Sequence, residues 1–112
     1  MASRPDLTHT DRRITTLMEC ALYRRTLRVN CRKCPHARLW DSVPVWWMFE
    51  KRGWCGFLSD VPRRFYCSQC WTERQARVRG PRMTISNDPP AATPWPYPSE
   101  REWKRFVSRY RS

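Results

Sequence analysis

The chain has 112 residues, and its 22 Lys and Arg against 10 Asp and Glu give a formal net charge of +12. Hydrophobic residues make up 40%, below the roughly 45–50% of ordinary globular domains, and the length corresponds to one domain. The longest uncharged apolar run, Val43 to Phe49, is far shorter than the about 20 residues of a membrane span, and the polar first residues predict no secretory signal.

The N-terminal third of the chain is predicted to hold one helix and one strand. We expect residues 1–9 to be flexible, and a helix to run from a cap at Thr10 or Asp11 to Tyr23. Its apolar residues follow a helical spacing: Ile14, Leu17, Met18, Ala21 and Leu22. A strand over Thr26–Asn30 then leads into the first pair of cysteines.

Four of the six cysteines form two C-x-x-C pairs, Cys31 with Cys34 and Cys67 with Cys70. Each pair directs two sulfurs at one point, and two pairs complete a tetrahedral four-cysteine zinc site. The 32 residues between the pairs exceed the about 15–20 of ordinary ribbons, so an extra element is expected between them. The sequence therefore predicts one structural Zn²⁺ ion. A disulfide framework and a thioredoxin-like redox pair are the alternatives.

Three more side chains are candidate ligands by residue type. His36 lies two residues after Cys34 and is interpreted as a surface group or a neighbour of the site. Cys20 and Cys55 have no partner at C-x-x-C spacing, and are interpreted as small buried hydrophobic residues. A disulfide between them would need an oxidising compartment.

The segment between the cysteine pairs is predicted to hold a strand and a helix. A strand over Ala37 to Trp40 runs back along the first strand. A helix over Val43 to Arg52 follows, capped by Asp41 or Ser42 and ended by Gly53. Further elements are expected in chain order: a turn from Ser59 or Asp60, a strand over Arg64 to Tyr66, and a strand-like run after Trp71.

The C-terminal part is predicted to be a linker followed by a helix. Residues 80–98 contain six prolines and are expected to be an extended linker without periodicity. Over residues 99–112, Ser99 and Glu102 form a capping box, and an apolar stripe follows: Trp103, Phe106, Val107 and Tyr110. So short a helix needs a surface to lie on, either its own chain, a partner, a second copy or a membrane.

The inserted helix raises the same question, because it carries Trp46 and Trp47 and is followed by Trp54. A small zinc domain has little interior for so many indole rings. Either the terminal helices cover them, or some stay exposed for protein recognition or base stacking. The candidate partner-binding residues are Trp46, Trp47, Trp54, Trp103, Phe106, Val107 and Tyr110.

Several motifs between Leu27 and Trp71 occur in a common order. They are the first C-x-x-C with His36 nearby, the helix "VWWMFEKRGW", the run "DVPRRFYCSQC" and the closing C-x-x-C. In this order the stretch, about 45 of the 112 residues, resembles small uncharacterised proteobacterial zinc-ribbon-like proteins. The resemblance implies a bacterial protein with a four-cysteine zinc fold and implies nothing about activity.

The basic character extends along the whole chain, with net charges of +3, +6 and +3 in residues 1–30, 31–80 and 81–112. A surface of this kind favours polyanions such as DNA or RNA. Codon composition is an alternative reason for the choice of 19 Arg over 3 Lys. The candidate nucleic-acid contacts surround the two cysteine pairs: Arg32, Lys33, Arg63, Arg64, Arg74, Arg77 and Arg79.

These observations combine into one expected protein. Its fold is small α+β, a zinc-ribbon-like domain over residues 10–79 with an inserted helix and two terminal helices. No paired carboxylates, Ser-His-Asp set or phosphate loop is recognisable, so no catalysis is predicted. We expect a cytoplasmic, zinc-stabilised binding module that contacts nucleic acid. The alternative is a protein-interaction adaptor that uses the Trp-rich and C-terminal helices.

Overall fold

The structure, a computed structural model, describes residues 5–7, 12–91 and 95–111. These residues form a small α+β fold with one three-stranded sheet and four α-helices, which confirms the predicted class. The elements in chain order are α1 (Leu17–Leu22), β1 (Thr26–Asn30), β2 (Ala37–Asp41), α2 (Ser42–Arg52), a 3₁₀ helix (Val61–Arg64), α3 (Ser68–Arg74), β3 (Arg82–Ser86) and α4 (Glu100–Arg111).

The sheet has the order β2-β1-β3, and β1 pairs antiparallel with both neighbours. Successive side chains of a strand point to opposite faces, so Leu27 and Val29 are buried while Arg28 is exposed. Leu27 pairs with Trp40 on β2 and with Ile85 on β3. The predicted first strand and its return strand are therefore confirmed, and β2 extends one residue further, to Asp41.

Helix α2 forms where the sequence predicts it. The Asp41 side chain accepts a hydrogen bond of 3.0 Å from the Val43 backbone N–H, which satisfies one of the N–H groups that a helix start leaves unpaired. Pro44 lies in the first turn, where its missing N–H costs nothing. Gly53 ends the helix with φ of 66°, a left-handed conformation that glycine adopts without the penalty of a Cβ atom.

One hydrophobic core joins α1, α2 and the inner face of the sheet. Valine, leucine and aromatic side chains dominate it, and the most deeply buried include Leu17, Leu27, Val45, Phe49 and Val61. Trp40 and Trp46 are also buried. Because this core incorporates α1, the chain buries more apolar surface than the cysteine-bearing segments alone provide.

The N-terminal helix is much shorter than predicted. It begins at Leu17, and the predicted caps Thr10 and Asp11 lie outside the described residues, as does most of the segment 1–9. Thr16 caps the helix instead, because the Glu19 N–H donates to its hydroxyl at 3.2 Å. Thr16 also forms a β-bridge with Phe57. The Thr-x-x-Glu capping signal therefore sets the start of the helix. The helical spacing of apolar residues extends further towards the N-terminus, but the helix does not.

The predicted linker is wrong for residues 82–86, which form β3 and cover the open edge of β1. Two further described residues of this segment also lie against the domain. The Trp95 ring lies 4.8 Å from the Trp40 ring, and the Tyr97 hydroxyl donates to Asp41 at 2.7 Å. The many prolines led to the prediction of a linker. The period-two spacing of Met83 and Ile85, which predicts a strand, was overlooked.

The two strands expected beside the second cysteine pair are also wrong. Arg64 belongs to the 3₁₀ helix, and Tyr66 forms only an isolated bridge with Arg79. The residues after Trp71 continue helix α3, which ends at Arg74. The 3₁₀ helix itself starts after Asp60 with Pro62 early in it, as predicted for that turn.

Helix α4 has the predicted Ser99 cap, since the Glu102 N–H donates to the Ser99 hydroxyl at 3.2 Å. The predicted partner Glu102 contacts the same hydroxyl, which donates to its carboxylate at 3.0 Å. The helix lies on its own chain. The Phe106 and Trp103 rings are 4.2 and 5.9 Å from the Trp46 ring. The apolar stripe is thus used largely for packing against α2.

Asp41 has two structural roles, and we predict that its substitution destabilises the fold. It caps α2 through Val43 and accepts the hydroxyl of Tyr97. Asp41→Ala is expected to lower the free energy of unfolding by about 1–3 kcal/mol, since a lost cap alone costs about 0.5–2 kcal/mol. Urea denaturation followed by circular dichroism measures this change.

Tyr97→Phe is the matched control, because it removes only the hydroxyl. The hydrogen bond to Asp41 raises the pKa of Tyr97 above its ordinary value of 10.0. The stability that this hydrogen bond contributes is therefore present below pH 10. It is lost as the pH rises through the raised pKa of Tyr97. Equal stability of wild type and Asp41→Ala at neutral pH would contradict both roles.

Candidate metal centre

The first knuckle, residues 31–36, is the turn that joins β1 to β2. The Cys31 N–H donates to the His36 carbonyl at 3.0 Å, which continues the strand ladder to the base of the turn. The Lys33 N–H donates to the Cys31 sulfur at 3.4 Å. A backbone N–H directed at sulfur favours the thiolate, and thiolate is the form that binds metal.

The second knuckle, residues 67–70, lies at the start of α3. The segment entering it pairs with the segment that follows the helix: the Cys67 N–H donates to the Val78 carbonyl at 3.0 Å and the Gly80 N–H to the Phe65 carbonyl at 3.2 Å. The Cys70 N–H donates to the Cys67 sulfur at 3.4 Å. In both knuckles, backbone hydrogen bonds pair the flanking segments. In both, a backbone N–H also donates to the sulfur of the first cysteine.

The fold brings the two knuckles together, and their four sulfurs lie within 4.8 Å of one another. The Cys31 and Cys70 sulfurs are 3.7 Å apart, and those of Cys34 and Cys67 are 3.6 Å apart. A disulfide has sulfurs about 2.05 Å apart, so these pairs are not bonded. A tetrahedral zinc with Zn–S bonds of about 2.3 Å separates its sulfurs by about 3.8 Å. The cluster has the size of a four-cysteine metal site.

The electrostatics of the cluster differ between its members. Burial raises the pKa of Cys31, but the backbone N–H groups of Cys34 and Lys33 together with the Cys34 and Cys67 side chains outweigh that effect and lower the pKa to about 6. Burial, together with the neighbouring Cys34 and Cys31 sulfurs, raises the pKa of Cys70 to about 12. Such crowded sulfurs resist joint ionisation, and a divalent cation at their centre would compensate the charge of four thiolates.

The other candidate ligands lie apart from the cluster. The His36 Nε2 atom accepts a hydrogen bond of 2.7 Å from Arg38 and is not among the grouped ligand atoms. Cys20 is fully buried, and this burial raises its pKa to about 12, which makes it an inert thiol. Cys55 is exposed rather than buried as expected, and its thiol donates to Asp60 at 3.3 Å.

The predicted nucleic-acid contacts are distributed over more than one surface. Arg32 donates from its Nε atom to the Gly80 carbonyl, so it also ties the first knuckle to the chain beyond α3. Arg63 pairs with Asp60 at 3.8 Å, on the 3₁₀ helix. Lys33, Arg74, Arg77 and Arg79 are exposed on and around the knuckles.

Aromatic rings lie under several of these arginines. The Arg77 guanidinium is 5.2 Å from the ring of Trp71 and 6.0 Å from that of Tyr66. Arg64 lies 4.5 Å over the ring of Trp54. Tyr66 is 49% and Trp71 37% exposed, so these rings also present surface to solvent beside the four cysteines.

The candidate contacts proposed from the sequence did not include Arg38, Tyr66 and Trp71. Arg38 donates to His36 at 2.7 Å and to the Ser68 hydroxyl at 3.4 Å, which places it between the two knuckles. The period-two relation of Arg38 to Trp40 on β2 was the available signal. The contribution of Tyr66 and Trp71 depends on α3, which the sequence analysis did not predict.

Of the candidate partner-binding residues, one is buried and the others are half-buried. Trp46 is 5% exposed, and Trp47, Trp54, Trp103 and Phe106 pack against the core while partly exposed. Between α1, α2 and α4 a groove of about 570 Å³ remains, the helical groove; its apolar lining is Met18, Trp46, Trp47, Phe106 and Tyr110. The polar lining of this groove has both signs of charge: Glu50, Glu102, Arg105 and Arg109.

No family model, curated protein or solved structure matches this chain. The resemblance to proteobacterial zinc-ribbon-like proteins therefore stays a prediction. None of the helices in the described ranges has the length and apolar character that crossing a membrane requires. What the geometry establishes is a cluster of four cysteines that can hold a metal ion, set in a small α+β fold.

Proposed function

We propose that the chain is a non-catalytic, zinc-stabilised module that binds nucleic acid through the arginines and aromatic rings around its four cysteines. Zinc is the metal that four cysteines at this spacing favour, and four sulfurs close its coordination sphere. A closed sphere suits a structural ion, because a catalytic zinc keeps a position for water or substrate. The metal would lock the two knuckles, and with them the surface that surrounds them.

Uncompensated positive charge is the observation that carries this proposal. The chain has 22 basic residues against 10 acidic ones, so ion pairs within the chain cannot neutralise its net charge of +12. Four thiolates and one Zn²⁺ would lower the net charge by about two. Phosphate groups are the ligands that such a surface attracts.

The arginine and ring pairs support nucleic acid over other polyanions. Arg77 lies over Tyr66 and Trp71, and the rings remain partly exposed. Exposed rings next to guanidinium groups provide both components of single-strand binding, stacking of bases and neutralisation of phosphates. An acidic protein partner would use the charge and leave the rings without a role.

A fluorescence-anisotropy titration at several salt concentrations tests the proposal. The titration uses a generic duplex and a single strand. With five to seven phosphate contacts, the log–log salt slope is expected to be about −4 to −6 for the duplex and about −3.5 to −5 for the single strand. The triple variant Arg64→Gln, Arg77→Gln, Arg79→Gln should reduce the magnitude of the duplex slope by about 3, since each phosphate contact contributes about 0.9.

The matched control removes the same charge elsewhere, by Arg28→Gln, Arg101→Gln and Arg105→Gln on β1 and α4. It should keep the wild-type slope to within about one contact. Absence of binding at low salt, or equal slopes for the two triple variants, would contradict the proposal. Zinc content must be unchanged in both variants, so that the comparison reports the surface and not the fold.

A protein-interaction adaptor is the second candidate, and the helical groove favours it. Trp47 and Tyr110 border an apolar depression of about 570 Å³, which fits the side chains of an amphipathic segment. Contacts of this kind respond weakly to salt, unlike phosphate contacts. A partner whose binding is lost in Trp47→Ala and retained in the Arg64, Arg77 and Arg79 triple variant would support this role.

A further inference from the structure

A cleft of about 380 Å³ opens between β2 and the segment that enters the second knuckle. Its lining, which we call the aromatic cleft, consists of Arg38, Trp40, Arg64, Phe65, Tyr66, Ser68 and Trp95. None of the four clustered cysteines lines this cleft. Its lining includes Arg38 of β2 and Arg64 of the 3₁₀ helix. Among the residues that the structure describes, no carboxylate belongs to this lining.

The floor of the cleft is a rigid aromatic cluster. Trp40 lies 4.9 Å from Phe65 and 4.8 Å from Trp95, and Phe65 lies 5.5 Å from Trp95, measured between ring centroids. Trp40 and Phe65 are 8% and 9% exposed, so packing fixes them. Tyr66, at 49% exposed, offers an open ring at the side. The cleft therefore combines a fixed aromatic floor with the accessible ring of Tyr66, on which a planar group can stack.

Its two charged side chains are both cations, and both are positioned. Arg38 is held by His36 and by the Ser68 hydroxyl, and Arg64 stacks on Trp54. Within the described part of the chain neither guanidinium has a carboxylate within ion-pair distance. A ligand that combines a planar ring with negative charge matches both halves of the lining.

We propose that the aromatic cleft binds one unstacked base of a single-stranded nucleic acid, with the phosphates that flank it on Arg38 and Arg64. This inference rests on the proposed nucleic-acid function and adds the type of strand. In a duplex the bases are stacked and paired, so they cannot enter a side cleft without being extruded. A continuous strand is favoured over a free nucleotide because Arg77, above Tyr66 and Trp71, extends the same pattern beyond the cleft.

The test separates the base from its phosphates. Zinc-loaded full-length chain is titrated with a labelled single-stranded decanucleotide and with an abasic strand of equal length and charge. The base-bearing strand should bind about 5- to 150-fold more tightly, the effect expected of stacking one base. Tyr66→Ala should remove most of this preference. Phe57→Ala, which truncates a ring of similar exposure outside the cleft, should leave it unchanged.

Arg38→Gln reports the phosphate half of the site. It should weaken both strands about equally and reduce the magnitude of their salt slopes by about 0.7. The control Arg101→Gln, on α4, should not. Preserved zinc content and circular dichroism in every variant exclude loss of fold as the reason.

The outcomes distinguish the two proposals. Salt-dependent binding that is equal for the base-bearing and abasic strands would overturn the cleft and leave the proposed function standing. Binding to no strand at low salt would overturn both. Displacement of the decanucleotide by adenosine monophosphate at equal nucleotide concentration would identify a site for free nucleotides and overturn the strand inference.

Discussion

Removal of zinc by a strong chelator, or the substitution Cys67→Ser, is expected to abolish cooperative thermal unfolding of the chain. A structural zinc contributes about 10–16 kcal/mol of binding free energy at neutral pH, whereas a whole domain is stable by only about 5–15 kcal/mol. Cys67 ties the loop between β1 and β2 to helix α3 through its 3.6 Å contact with Cys34. Mass spectrometry under native conditions should give about one zinc per wild-type chain and none in the variant.

Cys55→Ser and Cys20→Ala are the controls, because neither sulfur belongs to the cluster of four. The Cys55 variant should keep one zinc and nearly the wild-type stability. The Cys20 variant should also keep its zinc, with a loss of about 1–2 kcal/mol from the small cavity left by a fully buried side chain. A metal-free wild type that unfolds cooperatively, or metal loss in the Cys55 variant, would contradict the assigned ligands.

The four-cysteine cluster could be predicted because its chemistry is local. Two residues between cysteines fix the direction of both sulfurs, whatever lies in the 32 residues between the pairs. The same locality explains α2, for which Asp41 and Gly53 mark the ends, and α4, for which Ser99 and Glu102 form the cap. Each of these signals acts within about one helical turn.

The elements that sequence analysis missed depend on distant parts of the chain. Strand β3 exists because β1 offers an unpaired edge more than fifty positions earlier in the chain, and the prolines around it masked its alternation. Helix α3 is only seven residues long, too short to be stable alone. Its position depends on the knuckle below it and on the backbone pairing of Cys67 with Val78.

The surface around the metal site could be predicted only in part. The contacts predicted from the sequence included Arg64 and Arg77. The tertiary structure determines which aromatic rings lie beneath these two arginines. The spacing of Arg38 from Trp40 could place it on one face of β2, but its contact with Ser68 depends on the tertiary structure. The net charge therefore predicted a polyanionic ligand. The fold was needed to show where exposed aromatic rings lie next to arginines.

A large loss of stability is expected for Trp46→Ala. Trp46 is 5% exposed, and it contacts Trp103 and Phe106 of α4. Truncation of a buried aromatic side chain costs about 3–5 kcal/mol. Helix α4 should also unravel, because its twelve residues cannot hold a helix in water without a surface beneath them.

Chemical denaturation and amide hydrogen exchange, read by mass spectrometry, measure these two effects in one sample. The matched control is Trp71→Ala, which truncates an indole that is 37% exposed and should cost less than about 1 kcal/mol, with α4 protection unchanged. In Trp46→Ala, the amides of α4 should exchange as fast as those of an unfolded peptide while those of β1 stay protected. A loss below about 1 kcal/mol together with a protected α4 would show that other contacts hold the helix to the domain.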